Sequence, residues 1–235
     1  MERHTYRLDL AYDGTGFAGF RRQPGQRTVE STLVQVLQPF VPELEGVAVA
    51  GRTDRGVHAT GQVVSFWARQ PLQVDELRRA VDQVAPGEIV TLAGREVPRS
   101  FHASFSATKR RYTYLLDDQG EVQAERVNAL LEPLLGPRCF AAFGRRLPAG
   151  RSTRRRLLFA RAHRQGPWLR FDLCADGFLR MQVRVMVATA LREVRAGAPT
   201  DALLRLAECG DPTRAAAPAA AVGLHLAGID YPPMG

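Results

Sequence analysis

The sequence predicts an α+β fold. Two ferredoxin-like βαββαβ halves, residues 1–109 and 110–235, share a large antiparallel-rich sheet with helices on one side and a cleft between the halves. Two observations predict it. Strand-like and helix-like segments follow in the order βαββαβ through the first half, and the same order returns in the second with little identity between the two. Units of this kind pool their strands and leave the sheet's other side free to hold a ligand.

Residues 7–12 read as the first strand. A helix is expected over 29–40, with Val29, Leu33, Val36, Leu37 and Phe40 on one face and Thr28 as its N-cap. Strands at 47–52 and 61–68 follow. The next helix, 75–84, turns Leu77, Val81 and Val84 inward and is stopped by Ala85-Pro86-Gly87, after which 89–93 returns as a strand. The second half offers a strand at 110–116, a helix at 125–135 closed by Gly136, and strands at 156–163 and 168–174 joined through Gln165-Gly166-Pro167. A helix at 178–195 and a strand at 222–229 complete it. A further helix at 200–208 has no place in the repeat. Asp117-Asp118-Gln119-Gly120 reads as a tight polar turn between the halves, and the alanine-rich tract 215–221 as a surface segment.

Lysine and arginine total 32 against 24 acidic residues, a net charge of +8 that favours a polyanionic partner. Lys109 is the sole lysine, Asn128 the sole asparagine, and isoleucine occurs only at 89 and 229, the mark of a GC-rich codon bias that by itself leaves the basic excess unexplained. Cys139, Cys174 and Cys209 lack Cys-x-x-Cys spacing, so they read as reduced and structural, with no metal site. No run of eighteen apolar residues and no signal-peptide core occur, so a soluble, intracellular protein without a membrane partner is expected.

The most informative stretch is Ala50-Gly51-Arg52-Thr53-Asp54-Arg55-Gly56-Val57-His58-Ala59-Thr60-Gly61-Gln62-Val63. Its ends read as strands, and its middle packs arginines, a carboxylate and a histidine into a connection far longer than a simple hairpin turn needs. Taken alone, Arg-Thr-Asp-Arg-Gly reads first as a solvated turn. The whole stretch resembles the signature of the TruA family of tRNA pseudouridine synthases, in which the aspartate is the catalytic residue.

Three other segments carry the same resemblance. Phe101-His102-Ala103-Ser104-Phe105-Ser106-Ala107-Thr108-Lys109-Arg110-Arg111-Tyr112 runs from a loop into a strand. A tyrosine there is ordinarily a packing residue; the family's second motif assigns Tyr112 to the uridine. In the helix at 178–195, Phe178-Leu179 and Val183-Arg184 match the third motif. That helix is apolar nearly all round, and a guanidinium in its middle demands a carboxylate partner. Asp54 is the natural candidate, with Asp172 and Asp176 as structural alternatives. Tyr12-Asp13-Gly14-Thr15-Gly16-Phe17-Ala18-Gly19-Phe20-Arg21-Arg22-Gln23 is similar to the family's first loop, with Phe20 where the family has tryptophan and Arg21 where it has glutamine.

The resemblance implies the pseudouridine synthase fold and the conversion of uridine to pseudouridine at positions 38, 39 and 40 of the tRNA anticodon stem-loop. It requires no cofactor and no metal, and implies a cytoplasmic homodimer with tRNA as partner. Asp54 and Arg184 are the expected catalytic residues and Tyr112 the substrate-binding one. RNA contacts are expected from Arg21, Arg22, Gln23, Arg52, Arg55, His58, Lys109, Arg110 and Arg111. The rival reading is a non-catalytic RNA-binding protein of paired ferredoxin-like units. A glycosidase would need two cooperating carboxylates where this loop has one.

Overall fold

The computed structural model describes residues 3–233. The fold is α+β, and its strands form mixed, mostly antiparallel sheet. Two compact units divide the chain: one runs to Thr108 and takes in the chain again from His225, and the other is Lys109–Leu224.

In the first unit the strands are β1 (His4–Tyr12), β2 (Ala48–Val49), β3 (His58–Ala68), β4 (Ile89–Val97) and β9 (Leu224–Asp230), and the helices α1 (Val29–Leu37) and α2 (Val74–Val84). They stand in the order β4-β1-β3-β9, with β2 pairing β3. Leu8, Leu10, Leu33, Leu37, Leu77, Val81 and Ile89 are sealed from solvent between sheet and helices. Burial of such side chains, about 1.5–3 kcal/mol each, is what holds the layers together. Thr28 caps α1 as expected: its hydroxyl accepts from Ser31 N at 3.1 Å, and Ser31 Oγ accepts from Thr28 N at 3.0 Å. The helix ends at Leu37, three residues before the expected bound.

β3 starts earlier than the sequence suggests. His58 to Gly61 are extended, which gives β9 a parallel partner through His58↔His225 and Ala59↔Leu226. Gly61 permits this approach, because a Cβ there would lie 2.6 Å from Ala227 O. The strand expected to close the second half therefore groups with the first unit.

The second unit holds β5 (Lys109–Asp117), β6 (Gly136–Cys139), β7 (Arg154–Gln165) and β8 (Trp168–Ala175) in the order β5-β8-β7-β6, with α3 (Ala124–Leu131), α4 (Gln182–Arg195) and α5 (Ala202–Cys209). α3 gives way to a 3-10 turn at Glu132–Leu134, where Pro133 removes an amide donor. β6 carries no strand signature; it forms by pairing with Arg154–Leu157. Asn128 occupies the β7 edge, donating to Ala162 O at 2.9 Å and accepting from Ala162 N at 2.7 Å. α5, which had no place in the repeat, buries Leu203, Leu206 and Ala207.

Three expectations need correction. α4 begins at Gln182 rather than 178, because Met181 sits at φ 61 and the Gln182 side chain accepts from Leu179 N at 2.8 Å. Phe178 and Leu179 therefore precede the helix, and Arg184 is half-buried rather than enclosed. The tract 215–221 is a surface segment as expected, held down by buried Ala215, Ala216 N on Thr189 Oγ1 at 3.1 Å and Ala219 N on Arg184 O at 3.1 Å. Cys209 is exposed, so it is not a packing residue. Finally, Asp118 is no surface-turn residue: its side chain is 1% exposed, bonded by both Nη atoms of Arg164 and by Val122 N at 3.0 Å.

The Arg164 hydrogen bonds hold the Asp118 carboxyl at about 2, below the ordinary carboxylate range. A depressed carboxylate stabilises the fold fully above the unfolded value near 4, and that contribution disappears as pH falls from about 4 to about 2. It amounts to about 2 kcal/mol. Asp118→Asn is expected to lose about that much in urea denaturation at pH 7, and to converge on the wild type near pH 2. Equal stability of the two proteins at pH 7 would show that the pair contributes nothing net.

Candidate active site

The loop before β3 is held by a buried side chain. Gln62 is fully enclosed in β3, and a buried amide must find partners inside the fold. Its Oε1 accepts from Gly51 N at 3.3 Å and Val63 N at 3.1 Å, while Nε2 donates to Gly51 O at 2.6 Å and to the Tyr12 hydroxyl at 3.2 Å. That hydroxyl in turn meets Thr53 Oγ1 at 2.8 Å. Burial pushes the Tyr12 hydroxyl up to about 12, so it works here as a neutral hydrogen-bonding group.

The first loop closes over the other side. Phe20 N donates to Thr53 O at 3.0 Å, and Gly19 takes φ 99 where a Cβ would lie 2.9 Å from that same oxygen. At Gly14 a Cβ would lie 2.1 Å from Val57 O, so only glycine fits. Between these anchors the chain turns through Gly56 at φ 75, with Val57 N donating to Asp54 O at 3.1 Å. Asp54 stands half-buried at the turn, with Arg52 and Arg55 exposed on either side. Arg55 Nη2 reaches Gln26 Oε1 at 3.0 Å.

Others of the expected residues lie in the same unit. Arg21 pairs with buried Glu30 at 2.5 Å, the second Glu30 oxygen accepts from Arg22 N at 2.8 Å, and Gln23 Nε2 donates to Ala18 O at 2.8 Å. Phe20 is fully buried with its ring 6.4 Å from Tyr12, so it is a core side chain rather than a stacking platform. His58 accepts from Gly14 N at 3.3 Å, lies 3.1 Å from Asp13 Oδ1 and stacks on His225 at 4.7 Å. Burial and the neighbouring His58 lower the pKa of His225, while hydrogen bonds from Thr15 lower that of Asp13.

The second unit carries the rest. Tyr112, opposite Leu173, is buried with its ring edge-on to Phe178 at 5.3 Å. Lys109 and Arg111 are exposed, and Arg110 donates to Asp176 O at 2.7 Å. Arg184 Nε donates to Ala219 O at 2.6 Å, and its charge opposes the rise that burial causes in the Tyr114 pKa. The two carboxylates that offered structural partnership to Arg184 have other engagements: Asp172 accepts from Thr113 at 2.7 Å and Arg170 at 3.0 Å, and Asp176 from Arg156 N at 3.0 Å.

Tyr12, Thr53 and Gln62 were not singled out from the sequence. Their one signal is a glutamine inside a strand whose neighbours are apolar. Among the described residues no group of three His, Cys, Asp or Glu side chains is placed to hold a metal ion. A single carboxylate on a pinned turn, with two arginines beside it, suits nucleophilic or base chemistry on a group attached to a phosphate polymer.

Residues 10–106 and 130–232 match the family model described as tRNA pseudouridine synthase. Over 243 residues the chain is 34% identical to tRNA pseudouridine synthase A of Chlorobaculum tepidum, covering 97% of this chain and 98% of that protein. It is 35% identical over 242 residues to tRNA pseudouridine synthase A of Xanthobacter autotrophicus, covering 96% and 99%. Among solved structures, the archaeal box H/ACA sRNP Nop10-Cbf5 complex is 12% identical at a TM-score of 0.41, covering 79% of this chain and 42% of that one, a similarity too low to bear on the fold.

Gln62→Leu preserves bulk and strips Gly51 and the Tyr12 hydroxyl of their partner. Leaving buried polar groups unmatched costs about 1–3 kcal/mol, so the variant should unfold at correspondingly lower urea and exchange the amide hydrogens of residues 51–57 faster. Unchanged stability together with unchanged exchange would mean that Gln62 does not hold the loop.

Proposed function

We propose, from the premise that this chain belongs to the tRNA pseudouridine synthase A family, that it converts uridine to pseudouridine at positions 38, 39 and 40 of the anticodon stem-loop, with Asp54 as the essential carboxylate. The chain is a tRNA pseudouridine synthase, an isomerase, by its family match and full-length similarity, so the non-catalytic RNA-binding alternative is set aside. The observation that carries the Asp54 assignment is the loop geometry: a buried glutamine fixes the backbone while the carboxylate stays half-open between exposed arginines.

A uridine in a stem is out of reach until it leaves the stack, so it is flipped toward the carboxylate while arginines hold the flanking backbone. The N1–C1′ bond breaks, the uracil turns, C5 bonds to C1′, the C5 proton leaves and N1 gains one. The conversion is redox-neutral and balanced without a co-substrate. Asp54 acts as nucleophile or base, and Tyr112 packs on the uracil. Arg184 serves as counter-charge to Asp54, a role that rests on the family match. RNA contacts are assigned to Arg21, Arg22, Gln23, Arg52, Arg55, His58, Lys109, Arg110 and Arg111. The enzyme acts as a cytoplasmic homodimer, which its mass in solution tests.

Tritium release from 5-labelled uridine, read on tRNA transcripts that keep only one of uridines 38, 39 and 40, tests the assignment. Each transcript is expected to release label and yield pseudouridine at the retained position. Release confined to other positions would refute the stem-loop site, and no release from any transcript would refute the activity.

Asp54 and Arg184 should also behave as one unit in stability. Asp54→Asn and Arg184→Met are expected to couple by about 0.5–3 kcal/mol, with the double variant less destabilised than the sum of the singles. Additive losses would break the pairing.

A further inference from the structure

The +8 charge is concentrated in one stretch. Residues 133–171 hold ten arginines and no aspartate or glutamate, which leaves 22 basic against 24 acidic residues in the rest of the chain. The entire basic excess therefore lies in β6, the following loop, β7 and the start of β8, a region in which no active-site residue has been placed.

Four of these arginines serve the fold. Arg145 donates to the carbonyls of Ala142, Gly144 and Ala216, Arg164 to Asp118, Arg170 to Asp172, and Arg155 to the carbonyls of Ser152 and Arg154. Arg138 is half-buried. Arg146, Arg151, Arg154, Arg156 and Arg161 are exposed, and none has an ion-pair partner among the described residues.

Strand geometry gathers three of them. Ala160 and Ala162 of β7 face buried Leu173 and Phe171, so Phe159 and Arg161 point the other way, opposite Cys174 and Asp172. Before the bulge at Leu158, Leu157 is buried against Ala175, and Arg154 and Arg156 alternate outward with it. Phe159 lies on this outward face with 46% of its surface exposed. The nearby carboxylates do not neutralise the face: Asp172 is held by Arg170 at 3.0 Å, and the Asp176 side chain accepts from the Arg156 backbone.

Guanidinium groups without counter-charge repel one another, so this face costs the isolated fold and gains only when anions arrive. A phosphodiester chain supplies anions at close spacing, and an exposed aromatic ring offers a stacking face to an unpaired base. A second copy of the same face would set arginine against arginine. We propose that the outward face of β7 is a further RNA-binding surface that grips tRNA phosphates through Arg154, Arg156 and Arg161, with Phe159 stacking on an unpaired base. The choice of tRNA rests on the synthase function above.

The test is the binding of unmodified tRNA transcript across salt. Each phosphate contact adds about 0.7 to 0.9 to the slope of log affinity against log salt, so Arg154→Gln/Arg156→Gln/Arg161→Gln should flatten the slope by about two to three and weaken binding at low salt. Phe159→Ala should lose about fivefold or more in affinity with its slope intact. Arg205→Gln, which removes an exposed arginine of α5, is the control and should leave the slope at the wild-type value. If the triple variant fails to fold, each single change is read alone for a slope change of about one. Wild-type slopes in the arginine variants, an equal change in the control, or a change of mass marking the face as an interface between copies would overturn the proposal; unchanged affinity in Phe159→Ala would remove the stacking element. Because the readout is binding, it is independent of whether any uridine is converted, which tritium release by the wild type decides separately.

Discussion

Gln62 has no access to water, so its amide must be satisfied within the fold, and the way it is satisfied fixes the backbone that presents Asp54. The constraint propagates. Tyr12 is held in β1 by the sheet and shares its hydroxyl with Gln62 and Thr53; Thr53 O takes Phe20 N, and the first loop folds against the Asp54 turn at contacts that only Gly14 and Gly19 permit. A positioned carboxylate is useful to catalysis only if its backbone does not wander, since displacement of about 1 Å can cost on the order of 100-fold in rate. Packing thus sets, through one strand glutamine, where the proposed catalytic carboxylate stands.

Most of the fold was legible because it rests on periodicity. The helices over α1, α2 and α3 and the strands β1, β5, β7 and β8 follow apolar spacing, and Thr28 declared its cap. What escaped depended on tertiary contact. β6 has no pattern of its own and exists through its pairing with β7. The start of α4 was hidden because a left-handed Met181 and the Gln182 side chain set it, where hydrophobic spacing would have continued the helix back to Phe178. Asp118 looked like a turn residue because Arg164, its partner, lies 46 positions away.

The candidate site divides in the same way. The proposal of Asp54 comes from the motif around it, whereas the side chains that hold its loop were not legible, because a glutamine in a strand looks alike whether it faces water or the core. The charge distribution was also present in the sequence, yet averaging over the chain concealed that 133–171 supplies the whole basic excess. The register of β7 against β8 shows which of the β7 arginines face outward.

We propose that the pinned loop presents one carboxylate, Asp54, to a flipped uridine. The most direct test is Asp54→Asn, which keeps the side chain's size and removes the anion, assayed for single-turnover tritium release at saturating tRNA and for tRNA affinity on the same sample. Affinity near the wild type with no detectable release, once deamidation back to aspartate is excluded, is the predicted result. Release at a rate comparable to the wild type would remove Asp54 from the chemistry.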